Sequence, residues 1–230
     1  MPKSRLTFQI GIPIYHGVDL LDVAAPYEIF GWARQVVEKK VDLKVHLLAE
    51  TTQPILTHNG MHILPQLSFK RSPQLDLIWT PGGRPSDLKR MMSHRPYLDF
   101  LRSQSQKATY VTSVCEGALL LASAGLLNGH KATTHWAFIP CLKAFPQIKI
   151  ADGFPRFVVN KSKNKQGKLR YVVTGGGVSS GLDEALELVK LIFGKKVAEN
   201  VQTTIQYFPQ PPVHGVIPGS DECPLTGIKP

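Results

Sequence analysis

The sequence predicts an α/β fold with a mostly parallel central sheet and helices on both faces. Two observations carry this. Short runs rich in apolar and β-branched residues alternate with helical patterns along most of the chain, the order that parallel strands joined by crossover helices require. The 230 residues are 43% hydrophobic and 19% charged, enough to bury a substantial core and too ordinary for a collagen-like, coiled-coil or disordered chain.

The first strand is expected at Phe8 to Tyr15, where Ile10, Ile12 and Ile14 alternate. Lys3 and Arg5 precede it with no small-residue cleavage site, so it does not read as a signal peptide. Further strands are expected at Lys44 to Ala49, Asp76 to Thr80, Tyr110 to Val114 and Tyr171 to Thr174. Helical patterns cover Val23 to Val37, Ser86 to Gln104, Glu116 to Leu127, His135 to Phe145, and Leu182 to about Tyr207. Ile55 to Leu64 reads as a hairpin, because Asn59-Gly60 supplies the positive φ angles of a tight turn. The longest apolar run, Ala118 to Leu127, holds Ser123 and Gly125 and is far short of the roughly 20 residues of a membrane helix. A soluble, cytoplasmic protein is expected.

Lys and Arg number 27 against 17 Asp and Glu, a net charge of +10. Five of the cations lie in Lys161 to Arg170 with no acid and no aromatic among them. This is the composition of a solvated hairpin tip rather than a nucleic-acid surface, and the remaining charge is scattered, so no nucleic acid or membrane partner is expected. From Pro209 the chain carries six prolines and three glycines in 22 residues and cannot continue a helix. One domain, residues 1–208, followed by a Pro/Gly-rich tail, 209–230, is the expected organisation. Cys115, Cys141 and Cys223 form an odd, sparse set that does not read as a disulfide framework and points to a reducing compartment.

The most informative stretch is Ala108 to Gly129. A β-branched strand runs into Cys115 and turns at once into a helix, a strand-to-helix elbow that exposes the side chain at the carboxyl end of the sheet. A helix N-terminus there favours thiolate over thiol; a buried, inert cysteine is the plainer alternative. Strand Asp76 to Thr80 ends in Pro81-Gly82-Gly83, whose amides, with that of Glu116, could donate to a developing oxyanion. Asp22 is expected at or near the N-cap of the first helix, close enough to bond the Cys115 sulfur or deliver a proton, although capping alone would explain it. His58 and His62 flank a turn without acidic or cysteine companions, so no zinc site is expected. Gly175 to Gly177 lacks a nucleotide-binding spacing; Ser180 and Asp183 instead fit a capping pattern.

These residues resemble the ThiJ/PfpI superfamily and, within it, the isonitrile hydratase branch. The resemblance runs from about Gln9 to Pro224 through LLDVAAPYEIF, IWTPGG, YVTSVCEGALLLASAGLLNGHKATTHW, TGGGVSSGLDEAL and VQTTIQYFPQPP. It implies a flavodoxin-like three-layer α/β/α sandwich, usually a homodimer, with no metal or organic cofactor. By position Cys115 matches the nucleophile, Asp22 its acidic partner, and the amides of Gly83 and Glu116 the oxyanion site. His135 lies near the site in related proteins, as a base or a helix cap. The implied reaction is thiolate attack on an isonitrile carbon, giving a thioimidate that water resolves to an N-substituted formamide, a hydro-lyase activity on a small molecule.

One position departs from the pattern. The hydratases carry threonine after the nucleophile and this chain carries Glu116, whose plainest role is to complement the helix dipole. A Glu116 side chain turned into the pocket would instead raise the thiol pKa and weaken the hydratase assignment. It would favour an amidase, peptidase or glyoxalase-like activity on the same nucleophile. A third reading is a ligand or redox sensor, since the domain also occurs fused to DNA-binding modules in AraC-type regulators; the short tail argues against fusion, and oxidation of Cys115 stays open.

Overall fold

A computed structural model of the chain describes residues 5–164, 167–225 and 227. In chain order the elements are β1 (Leu6–Pro13), α1 (Leu20–Val37), β2 (Val41–Ala49), β3 (Ile55–Leu56), β4 (His62–Ile63), β5 (Leu67–Ser68), β6 (Leu77–Thr80), α2 (Pro85–Met91), α3 (Arg95–Ser105), β7 (Tyr110–Ser113), α4 (Gly117–Ser123), β8 (Lys131–Ala132), α5 (Ile139–Lys143), β9 (Lys149–Ile150), β10 (Phe157–Lys163), β11 (Leu169–Gly175), α6 (Ser180–Phe193) and α7 (Lys195–Thr204). Seven strands form the main sheet in the order β10-β11-β7-β6-β1-β2-β5. All neighbours are parallel except β10 and β11.

Every residue of β6 and β7 is buried, as strands covered on both faces must be. Helices α1, α6 and α7 pack together as one layer and α3, α4 and α5 as the other, which is the expected three-layer α/β/α architecture. Since consecutive parallel strands all point the same way, the loops after β1, β6, β7 and β11 meet at one end of the sheet, and this is where the candidate site lies. Among the described residues no helix is long and apolar enough to cross a membrane.

Several helices are shorter than the periodicity suggests, and each break has a local cause. The expected helix Ser86 to Gln104 is two, α2 and α3, with Pro96 in the first turn of the second, where its missing N–H has no helical acceptor. The long C-terminal helix divides at Gly194, whose φ of 93° and ψ of 161° belong to a region other residues avoid. The predicted helix Glu116 to Leu127 ends at Ser123, and His135 to Phe145 resolves into a 3-10 turn, Trp136–Phe138, followed by the short α5. Asp22 is not the cap of α1; Asp19 holds that position and Asp22 is the third residue of the helix.

Three smaller expectations also change. In the β3–β4 hairpin only Gly60 has positive φ, so Asn59 does not share the strained geometry. The basic segment is partly ladder, with Ser162 opposite Arg170 and Lys163 opposite Leu169, while Lys165 and Gln166 lie outside the described residues. At α6 the predicted side-chain cap does not form; the Arg156 guanidinium instead donates to Asp183 and to both the hydroxyl and the carbonyl of Ser179.

Cys141 and Cys223, expected as free thiols, form a disulfide across 82 residues. Only the folded chain brings the tail back over α5, so no spacing rule reveals the pair, and the expectation of a reducing compartment loses its support.

One core contact ties a sequence irregularity to the site. Pro26 lies inside α1 and has no N–H, which leaves the carbonyl of Asp22 without its helical donor. The indole Nε1 of fully buried Trp79, on β6, donates to that carbonyl at 2.8 Å. Trp79→Phe is therefore expected to lower stability by roughly 2–3 kcal/mol through lost volume and an orphaned acceptor. Adding Pro26→Ala, which restores a helical N–H, should recover about 1 kcal/mol of this in urea unfolding.

Candidate active site

Cys115 lies two residues after β7 and takes a left-handed conformation, φ 54°. A residue with a Cβ pays roughly 1–2 kcal/mol for this geometry, and the surrounding backbone holds it there. Its N–H donates to the carbonyl of Gly176 at 2.8 Å, and its carbonyl accepts from the Thr134 hydroxyl at 2.8 Å. The elbow is thus clamped between the loop after β11 and the strand-like stretch that follows β8.

Around the sulfur converge Asp22, Glu116 and Asp19. One donor atom from each of these and the Cys115 Sγ all lie within 4.8 Å of one another. Asp22 and Cys115 are wholly buried, and Glu116 is 6% exposed. The N–H of Gly82 donates to Asp22 Oδ2 at 2.8 Å, while Oδ1 has no protein partner. Gly82 is required there: a Cβ would overlap the Glu116 carboxylate and come within 2.8 Å of the Glu116 nitrogen. Glu116 turns inward, toward the thiol, and its Oε2 has no protein partner. The helix-dipole role therefore gives way to a direct one.

Burial controls the protonation of this group. Desolvation, then the Glu116 charge, pushes Asp22 well above the usual carboxylate range. Desolvation, reinforced by Asp22 and Glu116, likewise pushes the Cys115 thiol up, reversing the expectation of a helix-stabilised thiolate. Helix α4 has seven residues, too little dipole to offset two neighbouring acids. Desolvation raises Glu116 only to about 7, because its hydrogen bond with Cys115 and the amides of Glu116 and Gly83 favour its ionised form.

Among the described residues this is the one convergence of three or more metal-ligand types. Within it, Asp22 Oδ2 accepts from the Gly82 N–H, while Asp22 Oδ1 and Glu116 Oε2 have no protein partner. His135 caps the 3-10 turn, its Nδ1 accepting from the Ala137 N–H at 3.2 Å, and burial lowers its pKa. It lines a cavity of about 380 Å³ with Thr134, Trp136, Gly176, Gly177 and Ile217.

Three participants escaped sequence reasoning. Asp19 lies three residues before Asp22 across a helix start, a spacing that places both on one side; its Oδ1 is 2.8 Å from Nδ1 of the exposed His58. Tyr15, 4% exposed, directs its hydroxyl to the Pro81 carbonyl at 3.4 Å. Glu184 is wholly buried on α6 against Gly175 and Val114, and burial, then Asp22, raises its pKa. It occupies the stripe of Gly181, Ala185 and Leu188, a helical spacing that foretells its burial.

A family model, DJ-1/PfpI family, matches residues 9–191. The chain belongs to the DJ-1/PfpI family. The isonitrile hydratase of Pseudomonas putida is 36% identical over 207 residues, covering 90% of this chain and 82% of that one. A ThiJ/PfpI family protein from Pseudomonas syringae, solved by crystallography, superposes with a TM-score of 0.78 at 31% identity, over 91% of this chain and 78% of that chain. The transcriptional regulator GbdR of Pseudomonas aeruginosa is 24% identical over 90% of this chain and 52% of its own length. Enzymes and regulators thus share this DJ-1/PfpI domain.

Glu116 carries a testable cost. Folded, it holds its proton up to about 7; its ordinary value is 4.5. The folded state therefore binds the extra proton between these values, and stability falls as pH rises through that window, by about 3 kcal/mol in total. Glu116→Gln should be more stable than wild type at pH 8 and nearly equal to it at pH 4.5, as measured by thermal melts at both values.

Proposed function

We propose that this protein is a cysteine-dependent hydratase that converts a small isonitrile to an N-substituted formamide. The observation that carries the reading is the buried convergence of the Cys115 sulfur with the Asp22 and Glu116 carboxyls within 4.8 Å, in a chain 36% identical to an isonitrile hydratase; the inward turn of Glu116, which favours other substrates, motivates the second reading. The 36% identical isonitrile hydratase supports the substrate class.

The steps balance on these groups. Ionised Glu116 takes the thiol proton as sulfur attacks the isonitrile carbon, and protonated Asp22 supplies the proton that this carbon requires. The product is a thioimidate, with Glu116 protonated and Asp22 ionised. Water then adds to the carbon, giving one proton to Asp22 while Glu116 protonates the nitrogen. Collapse releases the formamide, and the hydroxyl proton passes through Glu116 to the departing sulfur. Cys115, Glu116 and Asp22 end as they began. Here the amides of Gly83 and Glu116 position the base, and His135, neutral, borders the cavity for the substituent.

A second reading is favoured by one feature: Glu116 points inward, where the hydratase branch carries threonine. A base at this position also suits attack on a reactive carbonyl or an amide by the same thiol.

Incubation with cyclohexyl isocyanide should yield the formamide, with activity falling as pH drops below about 7 because the base must be ionised. Cys115→Ala should abolish turnover, and Glu116→Gln should lower it by roughly 10²–10⁴-fold. No product from wild type, or undiminished product from Cys115→Ala, would sink the hydratase reading. Comparable or greater turnover of methylglyoxal or a peptide amide would favour the second.

A further inference from the structure

The segment after α7 is attached to the rest of the protein at few points. Between Pro209 and Leu225 the hydrogen bonds made by the described residues are internal: Ser220 Oγ donates to the Glu222 carbonyl, and Cys223 pairs with Leu225. Its side chains Val213 and Val216 are 73% and 89% exposed. What fastens the segment is the Cys141–Cys223 disulfide, with Leu225 buried beside it.

The anchor bears on the site. Cys141 is on α5, which begins immediately after the 3-10 turn capped by His135. Upstream of the anchor, Ile217, 47% exposed, lines the cavity of about 380 Å³ together with His135, Gly176 and Gly177. Gly176 and Thr134, which also line that cavity, are the residues that clamp the Cys115 backbone. The tail thus contributes one apolar side chain to the cavity next to the elbow, and a covalent bond holds it in place.

We propose that Ile217 is a specificity-determining wall of the cavity for the substrate's N-substituent, and that the Cys141–Cys223 disulfide is the redox-sensitive tether that keeps it there. A dithiol breaks the tether by donating two electrons and two protons to the S–S bond, yielding thiols at positions 141 and 223 and leaving as its own disulfide. Release of the segment removes Ile217 from the wall and admits bulkier groups. The functional half of this proposal rests on Cys115 as the nucleophile of the proposed reaction; the tether does not.

The test uses labelling of Cys115, which needs no turnover. Protein purified without reductant should show one alkylatable thiol after denaturation, and three after dithiothreitol. In the native state, compare wild type, the double variant Cys141→Ser/Cys223→Ser, in which Cys115 is the sole cysteine, and Ile217→Ala, which keeps the tether. Labelling by N-cyclohexylmaleimide should accelerate about tenfold in both variants, a change of about 1.4 kcal/mol, while labelling by iodoacetamide changes less than twofold. The double variant, but not Ile217→Ala, should gain a broad-specificity protease cut between residues 209 and 221. Three free thiols without reductant would overturn the tether, and an unchanged ratio of the two labelling rates would overturn the wall. If both behave as expected while no isonitrile is hydrated, the proposed reaction and the assignment of the wall to an N-substituent fail, while the tether and the control of access to Cys115 by Ile217 stand.

Discussion

Two carboxyls and a thiol share one buried space at the carboxyl end of the sheet, where little solvent is available to spread their charge. Ionising all of them together there would cost far more than their few hydrogen bonds return. Burial pushes Asp22 and Cys115 well above their ordinary values and Glu116 up to about 7, which favours the protonated forms. The proposed reaction draws on that division, with Cys115 as nucleophile, Glu116 as base and Asp22 as acid.

The scaffold serves this constraint at several points. Parallel β1, β6, β7 and β11 bring four loops to one end, where the Gly82 N–H donates to Asp22 and the Cys115 N–H donates to the Gly176 carbonyl. Pro26 and Trp79 fix the start of α1 from the core side, and the Arg156–Ser179–Asp183 group fixes the start of α6 from outside. The loop Gly17–Asp19 is held by the hairpin and by the β6 loop: His58 N–H donates to the Val18 carbonyl, and Asp19 N–H donates to the Gly82 carbonyl. The acidic cluster therefore lies on a frame of main-chain bonds.

Much of this was legible in the residues. The five strands read from β-branched runs occupy the central positions of the sheet, because burial on both faces demands just that composition. The elbow at Cys115 was visible because the β-branched run meets the helical pattern with no Gly, Pro, Asn or Ser-rich loop between them; in the structure only residues 114–116 join strand to helix. What escaped depends on distance through space. The inward turn of Glu116 is decided by the room Gly82 leaves, and the participation of Asp19 by how α1 meets the β6 loop. The Cys141–Cys223 bond depends on where the tail returns. Helix lengths were overread wherever a single Pro or Gly interrupts a pattern that is otherwise continuous, since the apolar period carries across a break that the backbone does not.

The left-handed backbone at Cys115 has a consequence for the economy of the fold. Glycine is the residue that this φ of 54° accommodates without strain, so a chain shaped by stability alone would place glycine at the elbow. Cysteine there means that part of the folding free energy is held as tension at the reactive atom's own attachment point. The neighbouring clamps at Gly176 and Thr134 then act as the counterweight: loosening either lets the elbow relax, and the sulfur loses its aim before the domain loses its fold.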